Sequence, residues 1–294
     1  AEALASLQAH WYNATTGSWS GGKVDPGRGL VDSGMVGWWN AANTLEVIGI
    51  ALQRLPADAW APGQREDLLN VVVPKMFQLQ NWTGCMQSRS YDDSGWVALA
   101  WIRAFEITSQ QSYLDRATAF FEQVASEAWD AKCGGGLYWA GDKAGGVNRY
   151  KNAISNELFL VTAMRLHNHA PNATSAAKYL SWAKREWTWF KDSGMVIDKG
   201  SYVAGGLTNN CSCDHDEGFT YNQGVVLGGL GLLFAATPEA ETAERAALID
   251  AADGIAMGVV RAGSRWQSAE GILIEPCEAK HGGCNADGTQ FKGI

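Results

Sequence analysis

The 294-residue chain has no apolar run approaching the ~18 residues of a membrane-spanning helix, so a transmembrane class is set aside. It also has no excess of basic residues. Its formal net charge is −8, whereas nucleic-acid binding rests on Lys and Arg neutralising phosphates, so that class of partner is excluded too. No Gly-x-Ser-x-Gly elbow is present, and no glycine-rich phosphate loop follows a strand. The histidines (His10, His167, His169, His215 and His281) share no ligand spacing with other donors. Cys211-Ser212-Cys213 is too tight for a zinc knuckle, so a metal site is not expected. The acidic run Cys213-Asp214-His215-Asp216-Glu217-Gly218 misses the calcium-loop pattern, which leaves Asp216 as a candidate ligand-contacting residue only. No alternating run is long enough to build a central sheet. No secretion signal remains at the start, where Ala1 to Trp11 reads as an amphipathic helix.

What is present points outside the cell. Six cysteines, an even number, suit disulfides, and Cys277 and Cys284 bracket a short glycine-rich loop as a local bridge would. Four acceptor sequons begin at Asn13, Asn81, Asn172 and Asn210. Together these describe a mature secreted eukaryotic glycoprotein. At 46% hydrophobic residues the chain has ample material for a large core.

Helical periodicity covers Trp39–Leu55, Gln64–Gln80, Asp93–Ile107, Gln111–Ala128, Asn152–His169, Ala173–Lys191, Tyr221–Ala236 and Pro238–Val260. Pro238 suits a first-turn position, and Thr174 or Ser175 suits a cap. Glycine-rich loops with short hairpins connect the helices. A weak repeat runs through them. Small, apolar helices start near Asn40, Asp92, Asn152, Asn222 and Asp287, at spacings of 52, 60, 70 and 65 residues, each pair separated by a more charged helix. A helix apolar all round, such as Val225–Leu233, must be buried on all sides, while charged amphipathic helices belong outside. Alternating inner and outer helices close into an (α/α)6 toroid, read here as a single domain over residues 1–294. The inner-helix starts then open on one face. Five starts are visible where six are needed, so the C-terminal helices are expected to be missing, by roughly 60 to 90 residues at this repeat length.

The most informative stretch is Ser90-Tyr91-Asp92-Asp93-Ser94-Gly95-Trp96. Its plain reading is a helix cap, because acidic residues in a first turn complement the helix dipole. Placed on the shared mouth of a toroid, the same pair becomes an acid/base candidate. Loop aromatics gather at such starts: Trp38, Trp39, Tyr91, Trp96, Tyr138, Trp139, Tyr150, Phe219 and Tyr221. Aromatic faces pack on pyranose rings while Asn, Gln and Asp bind hydroxyls, so a neutral polysaccharide is the expected ligand. Glycoside hydrolysis needs two carboxyls in different protonation states, and the short separation of adjacent residues favours the retaining class. Which aspartate attacks and which protonates stays open on sequence physics. Glu46 and Glu157, inside inner helices, are read as structural.

With these residues in view the chain resembles glycoside hydrolase family 76, the endo-α-1,6-mannanases, especially its fungal secreted or cell-wall branch. The likeness rests on Trp39-Asn40-Ala41-Ala42-Asn43-Thr44-Leu45-Glu46, Tyr91-Asp92-Asp93-Ser94-Gly95-Trp96, Asn152-Ala153-Ile154-Ser155-Asn156-Glu157-Leu158, Phe219-Thr220-Tyr221-Asn222-Gln223-Gly224 and Asp287-Gly288-Thr289-Gln290-Phe291-Lys292-Gly293, in order. The resemblance implies an (α/α)6 fold, no cofactor, and retaining cleavage of α-1,6-linked mannan or mannooligosaccharides by a monomer. By the matching motif, Asp92 is the nucleophile and Asp93 the general acid/base. Trp39, Asn40, Asn43, Tyr91, Trp139, Asn156, Asp216, Tyr221, Asn222 and Gln223 are the candidate substrate-binding residues. Two rivals remain: a cell-wall transglycosylase using the same pair on mannose-containing glycans or anchors, and a non-catalytic mannan-binding module.

Overall fold

Helices form where the apolar spacing places them. A computed structural model describes residues 1–25, 29–141, 150–214, 218–261, 263–278, 283–285 and 287–291. These residues divide into two compact units, Ala1–Arg89 with Trp96–Phe120, and Ser90–Gly95 with Phe121–Ile294.

The first unit begins with α1 (Glu2–Trp11) and an antiparallel sheet of β1 (Tyr12–Asn13), β2 (Ser18–Asp25) and β3 (Gly29–Met35). In register, Tyr12 faces Trp19 and Ser20 faces Met35, and a bulge falls at Gly21/Gly22. This sheet was not expected from the sequence. Then come α2 (Trp38–Arg54), α3 (Gln64–Asp67), α4 (Val73–Leu79), α5 (Trp82–Ser88), α6 (Tyr91–Thr108) and α7 (Gln111–Glu127). A π-helical turn, Leu68–Val72, joins α3 to α4, with the Val73 N–H reaching back to the Leu68 carbonyl. Pro74 explains it: it lacks the N–H an α-helix needs one turn on, and the ladder widens before it. The core is aromatic. Trp101 stacks on Tyr113 at 5.5 Å and meets Phe77 and Trp82 edge-on at 4.8 and 4.9 Å, geometries that the ring quadrupoles favour. Glu46 is structural as expected, since Arg103 Nη2 donates to its carboxylate at 2.7 Å.

The second unit holds the first turn of α6, the end of α7, β4 (Lys151–Asn152), α8 (Ala153–Asn168), α9 (Ala173–Asp192), β5 (Val196–Ile197), β6 (Tyr202–Val203), β7 (Gly206–Leu207), α10 (Thr220–Ala236) and α11 (Thr242–Val260). α8 is buried along nearly its whole length and packs on α9 and α10. α9 buries one stripe: Tyr179, Ala183, Glu186, Trp187 and Phe190. This inner/outer alternation is the one its composition dictates. β5 pairs with β6 in a short hairpin of the kind expected of the loops, while β4 pairs with β7 across the two intervening helices.

Several local expectations change. The α9 cap is Asn172, whose side chain accepts from the Ser175 N–H at 2.9 Å, rather than Thr174 or Ser175. Pro238 lies in a turn closed by the Glu241 N–H, and α11 begins only at Thr242. α10 is not enclosed on all sides. Gly229 meets Leu160 of α8, where a Cβ would sit 2.7 Å from a Leu160 methyl, while Gly224, Gly228 and Gly231 form an exposed stripe. Residues 287–290 are turns rather than a helix start. The local bridge Cys277–Cys284 forms, but the other disulfide joins Cys133 to Cys211, 78 residues apart. Cys85 and Cys213 take part in neither, so six cysteines give two bridges. Among the described residues no helix is long and apolar enough to cross a membrane.

Candidate active site

The first turn of α6 is fixed from three directions within the second unit. Gly95 lies against α8, and a Cβ there would fall 2.8 Å from Leu158 Cβ, so only glycine permits this approach without displacement. The Tyr91 N–H donates to the Trp139 carbonyl at 3.0 Å, and Ser90 bridges to Ala140. Tyr91 itself is 2% exposed, donates to Glu127 Oε2 at 3.1 Å and meets Tyr138 edge-on. Tyr138 in turn donates to the Glu127 carbonyl at 2.6 Å. The turn therefore presents its next residues, Asp92 and Asp93, beside the loop that ends in Trp139.

The two carboxyls sit in unequal surroundings. Asp92 accepts two hydrogen bonds, from the Asp93 backbone N–H at 2.9 Å and from Trp139 Nε1 at 2.7 Å. Burial pushes its pKa up, and these donors oppose the rise. No side-chain or backbone donor is assigned to the Asp93 carboxyl among the described residues. Burial first, then the charges of Asp92 and Asp287, push it up to about 7. One carboxyl is thus held by donors that favour its anion, and its neighbour titrates near neutrality. The cap reading changes accordingly: Asp92 serves the N–H of the following residue, one position inside the helix, and its second oxygen is taken by the indole.

Tyr221, at the start of α10, stacks on Phe291 at 4.2 Å. Its hydroxyl is pushed well up by burial, then by Glu157, with Asp92 and Tyr150 adding smaller contributions. Glu157 is 1% exposed, and neither carboxyl oxygen has a hydrogen-bond partner among the described residues. Burial raises its pKa well above the ordinary range, with the Asn222 amide opposing. Burial thus favours its protonated form.

The structure brings Asp92, Asp93, Tyr91, Trp139 and Tyr221 together and redirects three other residues. Asn156 is fully buried. It accepts from the Leu137 N–H at 2.7 Å and donates to the Leu137 and Asn152 carbonyls at 3.1 and 2.8 Å. Asn222 accepts from the Phe219 N–H at 3.2 Å, and Gln223 clamps the Val203 N–H and carbonyl at 2.8 and 2.7 Å. All three are at most 2% exposed. Each of these amides contacts backbone groups and so helps position the loops. Tyr91 likewise is a buried support. Trp39, Asn40 and Asn43 belong to the first unit, where Asn43 Nδ2 donates to the Trp39 carbonyl at 3.0 Å. Asp216 lies outside the described residues. Asp287 was not singled out as a site residue, although it marked the fifth repeat and its charge acts on both Asp92 and Asp93. Among the described residues no group of three or more His, Cys, Asp or Glu is placed to hold a metal ion.

Comparison with known proteins bears on this site. A family model described as glycosyl hydrolase family 76 matches residues 1–294. A putative mannan endo-1,6-alpha-mannosidase of Schizosaccharomyces pombe is 31% identical over 69% of this chain and 45% of its own length. The mannan endo-1,6-alpha-mannosidase DFG5 of Saccharomyces cerevisiae is 29% identical over 62% of this chain and 38% of its own. The chain thus spans under half the length of these relatives. Among solved structures, the GH76A α-1,6-mannanase of Salegentibacter superposes with a TM-score of 0.71 at 24% identity, over 99% of this chain and 76% of that one. Dfg5 of Chaetomium thermophilum, in complex with glucosamine, superposes at 0.72 and 23% identity, over 99% and 70%. Inactive variants of the Salegentibacter enzyme, with two consecutive aspartates replaced by alanine or asparagine, are solved with α-1,6-mannotetrose and α-1,6-mannotriose. These likenesses establish the mainly helical (α/α)6 toroid fold class.

Proposed function

The chain belongs to glycosyl hydrolase family 76, and from that premise we propose that it cleaves α-1,6-mannosidic linkages within mannan, with retention, using Asp92 as nucleophile and Asp93 as general acid/base. The observation that carries the assignment is the asymmetry of the pair. Burial raises the pKa of both carboxyls, but two donors at Asp92 oppose that rise and favour its anion, while Asp93 has none assigned and is raised to about 7. A nucleophile must be ionised and a general acid protonated at the working pH, and environments that separate two carboxyl pKa values assign the roles. Support comes also from the relatives named as mannan endo-1,6-alpha-mannosidases. The inactive Salegentibacter variants lack two consecutive aspartates, and Asp92-Asp93 is the only such pair in this chain.

In the first step an Asp92 oxygen attacks the anomeric carbon as its bond to the glycosidic oxygen breaks, and Asp93 gives its proton to that leaving oxygen. A glycosyl ester on Asp92 results. In the second step Asp93, now a carboxylate, takes a proton from an incoming hydroxyl, whose oxygen displaces Asp92 and restores the α configuration. Water gives hydrolysis and a sugar hydroxyl gives transglycosylation, and the same pair serves both. The exposed face of Trp139, 46% accessible, would pack on a sugar ring while its indole N–H holds Asp92. We place the protein outside the cell or in the wall, a reading supported by two disulfides and four exposed sequon asparagines. We treat residues 1–294 as belonging to a single catalytic domain.

Incubation with defined α-1,6-mannooligosaccharides and product analysis tests the proposal. The parent should yield shorter or transferred α-1,6-mannosides, and Asp92→Asn and Asp93→Asn should each lose at least ~100-fold in kcat/KM. Retention of full cleavage by both variants would overturn the assignment. Appearance of longer products alongside reducing ends would favour the transglycosylase route.

A further inference from the structure

A second groove lies away from the aspartate pair, within the same unit. It has a volume of about 610 Å³ and runs along the outer face of α9, with Trp129, Cys133, Arg185, Thr188, Trp189 and Asp192 among its walls. None of the residues around Asp92 belongs to it. The loop from Trp129 to Trp139 links the two places, with a groove wall at one end and the Asp92 partner at the other.

Its aromatic surface is built rather than incidental. Trp189 Nε1 donates to the Cys133 carbonyl at 2.9 Å, next to the Cys133–Cys211 disulfide. The ring seats itself on Gly135 and Gly136, where a Cβ at Gly136 would come within 2.2 Å of the indole, and both glycines have positive φ. Trp129 carries the Arg185 guanidinium over its ring at 4.2 Å, with Trp182 at 4.9 Å from the same group. That guanidinium is exposed, and no acceptor among the described residues takes its N–H groups. Neighbouring Lys184, by contrast, is engaged by Glu244 at 3.0 Å.

Polar groups follow along one helix. Arg185, Thr188 and Asp192 are exposed at intervals of three and four residues, so they lie on one face and span about 10 Å. The strip offers a fixed five-donor fork, a hydroxyl, and a carboxylate that only accepts, beside indole rings. A simple anion would meet Asp192 inside the same groove, and a cation would meet Arg185. Adjacent hydroxyls of a neutral hexopyranose both donate and accept, and its C–H face packs on an indole. We infer that this groove is a second oligosaccharide-binding site, which holds a neutral mannosyl chain outside the catalytic centre. The choice of mannose rests on the proposed function above. The gain is avidity on a polymer: a chain held at the groove presents its other segments to Asp92 and Asp93 at raised effective concentration.

The two sites carry their own reporters, the indole N–H of Trp139 and that of Trp189. Their ¹⁵N resonances, assigned by their loss in Trp139→Phe and Trp189→Phe, would be followed while α-1,6-mannotetraose is titrated into an Asp93→Asn background that prevents turnover. Both should shift, with separate dissociation constants. Arg185→Ala combined with Asp192→Ala should weaken the Trp189 transition about tenfold or more, the loss of charge-assisted hydrogen bonds, and leave the Trp139 transition within about twofold. A shift of Trp139 alone overturns the groove and leaves the mannan reading standing. A shift of Trp189 alone does the reverse, and silence from both overturns both. One shared dissociation constant, or a Trp189 transition indifferent to the double variant, also overturns the inference.

Discussion

Asp93→Asn should stabilise the protein above neutral pH even as it disables it. In the folded chain the Asp93 carboxyl rises from 3.8 to about 7. A carboxyl whose folded pKa exceeds its unfolded one favours the fold while protonated in both states, below about pH 4, and that contribution is lost as pH climbs through about 7. At ~1.4 kcal/mol per pH unit, the rise corresponds to about 4 kcal/mol as an upper bound at pH 8. Partial solvent access and sharing of the titration with Asp92 reduce this, and about 2 kcal/mol is the expected gain. Asparagine keeps the shape and carries no charge at any pH. Paired urea-unfolding curves of parent and variant at pH 4 and pH 8 measure the effect: near coincidence at pH 4 and a higher midpoint for the variant at pH 8. A difference that does not change with pH, or a parent more stable at pH 8, would refute the reasoning that Asp93 is a strained acid.

Other outcomes follow from the same contacts. Trp139→Phe removes a donor that holds the Asp92 pKa down, so the low-pH limb of kcat/KM should move upward and the maximum should fall roughly tenfold or more, read from a pH–rate profile. In the parent, the high-pH limb should lie near 7, where Asp93 loses its proton; a profile flat to pH 9 would deny Asp93 the acid role. Gly95→Ala drives a Cβ to 2.8 Å from Leu158 Cβ, and thermal unfolding should show a loss of about 1–3 kcal/mol with the first turn of α6 displaced.

Much of this was legible in the residues, for reasons that differ by element. Helices announced by 3.6-residue spacing over ten or more positions, such as α7 and α8, lie within two residues of where periodicity puts them. The first sheet was hidden because β2 reads Ser-Trp-Ser-Gly-Gly-Lys-Val-Asp, whose glycines break any alternation. The π turn before Pro74 and the Asn172 cap depend on single hydrogen bonds that periodicity does not encode. At the site, Asp92-Asp93 stood out by adjacency, yet their division of labour did not, because Trp139 and Asp287 lie 47 and 195 residues beyond Asp92 in sequence and act only once folded. The surroundings of Asn156, Asn222 and Gln223 were hidden for a related reason. An amide at an inner-helix start has the chemistry to bind a hydroxyl or a backbone, and only burial decides which it meets.

The central claim is that Asp92, not Asp93, forms the bond to sugar. A mannosyl donor with a good leaving group and a fluorine at C2, which slows the second step, would trap the glycosyl ester. Proteolysis and mass spectrometry of the peptide containing Tyr91-Asp92-Asp93-Ser94 would then locate it. An adduct on Asp92, with α-configured product on turnover of the natural linkage, is the predicted result. An adduct on Asp93, or a β-configured product released directly with no adduct, would contradict it.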